Sequence, residues 1–147
     1  MSAVSKSGRI YDVKNLYGLK QTIATQKAMI SATNKRSFVI SRSMFPSGGR
    51  YAAHALGYTP YSFSAMARSV TAIQEFNMFG IPFVGADVCG SVTPNWWDEL
   101  NNRWIQLSAS YPLSLIRKDP YSMITIDAMP YTGVSLFRNR VLPYLYT

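Results

Sequence analysis

The side chains able to do chemistry in this sequence are few: one histidine (His54), one cysteine (Cys89), seven carboxylates and fifteen lysines and arginines. One His and one Cys cannot assemble a Cys/His zinc set, and a lone cysteine excludes an internal disulfide. Neither a metal nor a cofactor is expected. What is left is proton transfer and hydrogen bonding. Arg42 directly follows the apolar run Phe38-Val-Ile-Ser41, and Asp87 closes the run Ile81-Pro-Phe-Val-Gly-Ala-Asp87. A guanidinium is a fork of donors and a carboxylate a pure acceptor. At the ends of two strands such a pair can face a polar ligand, or simply neutralise each other as an ion pair; the sequence admits both. His54 opens a third segment, His54-Ala-Leu-Gly-Tyr58.

The elements that must position these residues can be read from periodicity. Residues Ala24 to Thr33 read as a helix. Lys35 to Ser41, a polar turn leading into a β-branched and aromatic run, reads as a buried strand. Pro46-Ser-Gly-Gly is a loop. Apolar Met66, Val70, Ile73 and Phe76 recur at helical spacing between Ser64 and Phe79, and Gly80 is placed to end that helix. Ile81 to Asp87 is a second strand. Thr93 caps a helix running to about Leu107, with Asp98 and Glu99 near its positive end, and a last helix runs from Thr132 or Gly133 to Thr147. Continuous apolar strands alternating with helices indicate a parallel α/β fold. In a barrel of that kind polar residues at the strand C-termini face the ligand, which is why Arg42 and Asp87 stand out.

Composition sets the outer bounds. With 48% hydrophobic and 14% aromatic residues the chain is built to pack rather than to stay disordered. No apolar run approaches the roughly 18 residues of a membrane span. Met1 to Gly8 lacks the apolar core of a signal peptide, so no secretory leader is expected and the compartment stays open. The net charge of +8 raises nucleic acid as a partner. However, Lys6, Lys14, Lys20, Lys27, Arg50, Arg68, Arg103 and Arg138 are dispersed, and the adjacent basic pairs are Lys35-Arg36 and Arg117-Lys118. That pattern is a solvated basic surface, and no nucleic-acid partner is expected. No repeat or linker divides the chain.

Five segments, in order, resemble the catalytic barrel of glycoside hydrolase family 31, the α-glucosidase and sucrase-isomaltase group. They are Tyr11-Asp-Val-Lys-Asn-Leu-Tyr-Gly; Phe38-Val-Ile-Ser-Arg-Ser-Met-Phe-Pro-Ser-Gly-Gly-Arg-Tyr-Ala-Ala-His-Ala-Leu-Gly; Glu75-Phe-Asn-Met-Phe-Gly-Ile-Pro-Phe-Val-Gly-Ala-Asp-Val-Cys-Gly; Arg103-Trp-Ile-Gln-Leu-Ser-Ala-Ser-Tyr-Pro; and Arg140-Val-Leu-Pro-Tyr-Leu-Tyr-Thr. The resemblance spans about residues 9 to 147. It implies that residues 1–147 form part of a (β/α)8 TIM barrel, its later β/α units only, with parallel strands. The implied ligand is an α-glucoside or oligosaccharide, held by Arg42, Asp87 and His54.

The departures from the family pattern bear on activity. Retaining glycosidases use two carboxyls about 5–5.5 Å apart, one as nucleophile and one as acid/base. The family nucleophile lies just upstream of the Tyr11-Asp-Val segment, so it is expected to fall before this chain. The acid/base Asp follows His-Trp-x-Gly, and here Tyr58 occupies its place. A phenol with an ordinary pKa near 10 is a poor proton donor at neutral pH. No catalytic residue is therefore assigned. Ala55 stands where the family has Trp, Ser91 where it has an aromatic, and the Arg-Asn-His segment is missing beyond Tyr111-Pro-Leu-Ser-Leu-Ile-Arg. The resemblance places the usual partner of Cys89 at Asn101, leaving the thiol free. Gly57, Gly80, Pro82, Gly85, Trp104 and Pro143, which serve backbone and packing, match. His54 fits a structural place better than a ligand contact, and Trp96-Trp97 fits helix packing better than a sugar platform. Three readings follow: a decayed, inactive derivative; a sugar-binding or regulatory pseudoenzyme that associates with itself or with a full-length relative; or an incompletely read active enzyme, which Tyr58 speaks against.

Overall fold

The computed structural model describes residues 3–6, 8–89, 99–116 and 129–146, with side chains in the last segment from residue 132. The expected Thr93 cap, Asp98, Ser91, the Trp96-Trp97 pair and Arg117-Lys118 lie outside these residues. A short antiparallel hairpin, β1 (Val4–Ser5) with β2 (Gly8–Arg9), precedes the main fold and was not foreseen. One helical turn, α1 (Ile10–Val13), then leads through a 3-10 turn into α2 (Tyr17–Thr33). Helix α2 ends where the sequence predicted, on Asn34 in the left-handed conformation (φ 51°). It starts seven residues earlier than Ala24.

The main sheet is β3 (Ile40–Ser41), β4 (Ala53–Ala55), β5 (Val84–Asp87) and β6 (Leu113–Leu115), parallel and in sequence order across the sheet. Consecutive parallel neighbours are the arrangement of successive units of a TIM barrel, as the sequence implied. Helix α3 (Phe63–Met78) connects β4 to β5, α4 (Glu99–Ser108) lies between β5 and β6, and α5 (Met129–Tyr146) follows β6. The β3–β4 link is an irregular stretch with one 3-10 turn, Gly48–Arg50. The Lys35–Ser41 run contributes only Ile40 and Ser41 as strand, and β4 and β6 were missed. Ala53-His-Ala and Leu113-Ser-Leu are too short to show an alternation against their flanks.

Helix α3 runs one residue earlier at each end than the expected 64–79 span, and its start is set by a cap that the periodicity did not indicate. The Ser62 hydroxyl accepts the Ala65 N–H at 3.1 Å, an N-cap. Gly80, at φ +77°, ends it in a conformation few other residues adopt cheaply. Its buried face, however, is Ala65, Ser69 and Ile73, with Met66 and Phe76 half-buried against the core, and Val70 faces out. Ser69 can take the inward place because its hydroxyl is satisfied, bonding the Met66 carbonyl and the buried Tyr111 hydroxyl, each at 2.6 Å. Helix α4 contributes Leu100, Trp104 and Ile105 to the same core as Ile73, Val84, Ala86 and Val88. Among the described residues no helix is long and apolar enough to cross a membrane.

Candidate functional site

The pairing register fixes which side chains share a face. Ser41 lies beside His54, His54 beside Val84, and Ala86 beside Ser114; Ala55 lies beside Gly85, and Asp87 beside Leu115. Since side chains alternate along a strand, His54, Val84 and Ala86 occupy the face covered by α3, and Ala55, Gly85 and Asp87 the opposite one. His54 and Asp87, both nominated from the sequence, are therefore on opposite faces of the sheet.

His54 is a packed residue. Its ring stacks on Phe76 of α3 at 3.9 Å between centroids and 23° between planes. Its Nδ1 lies 3.1 Å from the Ser41 carbonyl. A carbonyl can only accept, so Nδ1 carries the proton and Nε2 keeps its lone pair. Burial holds the His54 pKa below its usual value; the Ser41 bond opposes this shift and the nearby Arg42 charge adds to it. The ring is thus neutral at pH 7.

Arg42 is exposed, just beyond β3. Its guanidinium packs directly over Gly57, which sits at φ +88°, so both the conformation and the space require glycine there. Arg42, His54, Phe45 and Phe76 line a cleft of about 460 Å³ between α3 and the turn after β3. Asp87 is at the end of β5, as expected, but has no solvent exposure. The ion pair formed among the described residues is Glu99 with Arg103 at 3.4 Å, not Arg42 with Asp87. Tyr58 is 64% exposed and, with Arg68, lines a second, shallower hollow of about 200 Å³ over α3. The fold therefore brings Arg42 to His54, sets Tyr58 above α3 and closes Asp87 into the interior.

Two further residues meet as the sequence implied. Cys89, buried and at φ +64°, points its thiol at the Asn101 carbonyl, 3.8 Å away. Burial raises the thiol pKa to about 12. Phe76 and Phe79, which shape the cleft, were visible only as part of the α3 pattern; their three-residue spacing is the signal that puts both rings on one side.

Residues 2–147 match the TIM-barrel domain of the glycosyl hydrolases family 31. The chain is 41% identical over 160 aligned positions to intestinal sucrase-isomaltase of Homo sapiens, covering all of this chain and 8% of that protein. It is 40% identical over 144 positions to lysosomal alpha-glucosidase of Rattus norvegicus, covering 93% of this chain and 15% of the relative. In three dimensions it superposes on the Tris-bound α subunit of glucosidase II with a TM-score of 0.80 at 25% identity, over 97% of this chain and 16% of that one. The chain thus spans well under a fifth of the length of these relatives.

Proposed function

Because the chain belongs to glycosyl hydrolase family 31, we propose that it is a segment of an α-glucosidase-type barrel whose ligand class is the α-glucoside, and that by itself it does not hydrolyse glycosidic bonds. The observation that carries the second half is Tyr58. By the resemblance it takes the place of the acid/base carboxyl, and its described surroundings offer no rescue: the residue is largely in solvent, over α3, while Asp87 is enclosed. A retaining mechanism needs two carboxyls facing one bond. A solvated phenol with no carboxylate beside it among the described residues to share its proton cannot replace one of them.

A sugar-holding role is the second reading, and Arg42 favours it. The residue is exposed and its guanidinium packs over Gly57 at a strand end, where donors for sugar hydroxyls are useful. The burial of Asp87 limits this to a weak contact, with millimolar affinity or about −4 kcal/mol. The partner that fits either reading is another copy of the chain or an intact relative. The deciding experiment is incubation of the purified chain with maltose and an aryl α-glucoside. No turnover above a buffer blank is expected, and Tyr58→Asp alone should not create any. Hydrolysis that survives repurification and is lost in Arg42→Ala would overturn the inactive reading. Maltose titration with no response at tens of millimolar would remove the sugar-holding one.

A further inference from the structure

The cleft between α3 and the turn after β3 lies on the face of the sheet away from Asp87; it shares Arg42 with the glycoside reading, but the rest of its lining is its own. At about 460 Å³ it is the size of a small-molecule site. Its apolar wall is Phe45, Phe76, Phe79 and Ile81, and its polar groups are Arg42 and His54. The aromatic wall is held in place rather than collapsed. Phe76 stacks on His54 and meets Phe79 edge-on, centroids 5.9 Å apart and planes at 78°. Phe79 is 63% exposed and Phe45 38%, so ring surface is offered to solvent at the mouth. Planar rings add to such an arrangement by offset or edge contacts.

The two polar groups define the rest of the occupant. Arg42 is the charged residue of the lining and makes no ion pair among the described residues. A cation beside an apolar surface favours an anion, and a guanidinium favours a planar two-oxygen one. His54 spends its Nδ1–H on Ser41 and is kept neutral by burial, so its Nε2 can only accept a hydrogen bond. A hexose fits this lining poorly, because most of its hydroxyls would face phenyl rings without partners. From Arg42 and three phenyl rings lining one cleft we infer that it binds a small aromatic carboxylate of one or two rings, its carboxylate on Arg42 and its ring against the exposed surfaces of Phe45 and Phe79.

The test is a ligand-observed NMR titration of the 147-residue chain with 2-naphthoate, which reads binding whatever the association state of the protein. Neutral 2-naphthamide and octanoate are the comparators. Saturable naphthoate binding is expected. Losing the charge-assisted bonds, through 2-naphthamide or through Arg42→Gln, should weaken it about tenfold or more. Phe79→Ala, at an exposed position that the core does not depend on, should weaken naphthoate and leave octanoate little changed. Phe79→Ala should also leave any maltose response unchanged, which keeps this outcome distinct from the glycoside reading, since Phe79 belongs to this cleft alone. Equal affinity for naphthoate and naphthamide, an unaltered Arg42→Gln variant, non-saturating uptake, or octanoate binding as tightly as naphthoate would each overturn the inference.

Discussion

At the scale of single residues, His54 and Cys89 are constrained by burial, and burial gives each a measurable signature. The folded pKa of His54 lies below its unfolded value of 6.5, so the unfolded chain binds the proton more readily. The stability tied to this group is complete above pH 6.5 and is lost as pH falls through the lower folded pKa. Unfolding followed from pH 7.5 downward should show this loss in the wild-type chain, with a flatter profile below pH 6.5 in His54→Gln; identical profiles would show that the ring is not buried neutral. Cys89, with its thiol raised to about 12, should resist alkylation at pH 8 until the chain is denatured. Its proximity to the Asn101 backbone gives a second expectation. Asn101→Cys, refolded under oxidising conditions, should lose both free thiols and gain up to about 3 kcal/mol. Two thiols still titrating after oxidation would show that the strand end and the helix are not in this register.

At the scale of elements, the join between α4, β6 and α5 rests on Arg138. Its guanidinium donates to the carbonyls of Ser108, Ala109, Tyr111 and Pro112 at 3.2, 3.4, 2.6 and 3.1 Å. The first of these is the last residue of α4, so a positive group sits at the negative end of that helix. Water would have to replace several charge-assisted bonds at once if Arg138 were truncated. Arg138→Ala should destabilise the join by about 2–3 kcal/mol. Hydrogen exchange of the β6 amides, Leu113 to Leu115, would report it as lost protection. Arg138→Lys should recover only part, because a point charge cannot span four carbonyls. Unchanged exchange in Arg138→Ala would mean that packing alone holds α5.

At the scale of the whole molecule, the chain exposes more surface than its mass warrants. Its accessible surface is 10168 Å² for 16.5 kDa, whereas a compact monomer of that mass would expose about 7,500 Å². Part of the excess is apolar. On α5, Leu136, Phe137, Leu142, Tyr144 and Tyr146 are exposed, and α2 buries only Gly18 and Thr22 of its seventeen residues. Among the described residues the four-stranded sheet also has outer edges at β3 and β6, and open edges invite pairing. The isolated 147-residue chain should therefore self-associate or behave as a loosely packed species. Sedimentation velocity should show little monomer, and thermal unfolding should lack a sharp transition. A single sharp monomer boundary with cooperative melting and dispersed amide signals would refute this.

The sequence by itself determined the fold class, the span and ends of α3, and the strand-end places of Arg42 and Asp87. These depend on local signals: apolar period, a helix-ending glycine, and a run of β-branched residues closed by a polar one. It also located Tyr58, because a motif fixes its position relative to His54 and Gly57 whatever surrounds it. Tertiary structure alone decided that β4 and β6 are strands, since three residues carry no period and pair only because β5 lies between them. It decided that Ser69 rather than Val70 faces inward, because Tyr111, forty-two residues away, supplies the hydrogen bond. And it decided that His54 lies across the sheet from Asp87 and beside Arg42. Which face a side chain takes depends on strand register, and register is set by the neighbouring strands rather than by the residue's own segment.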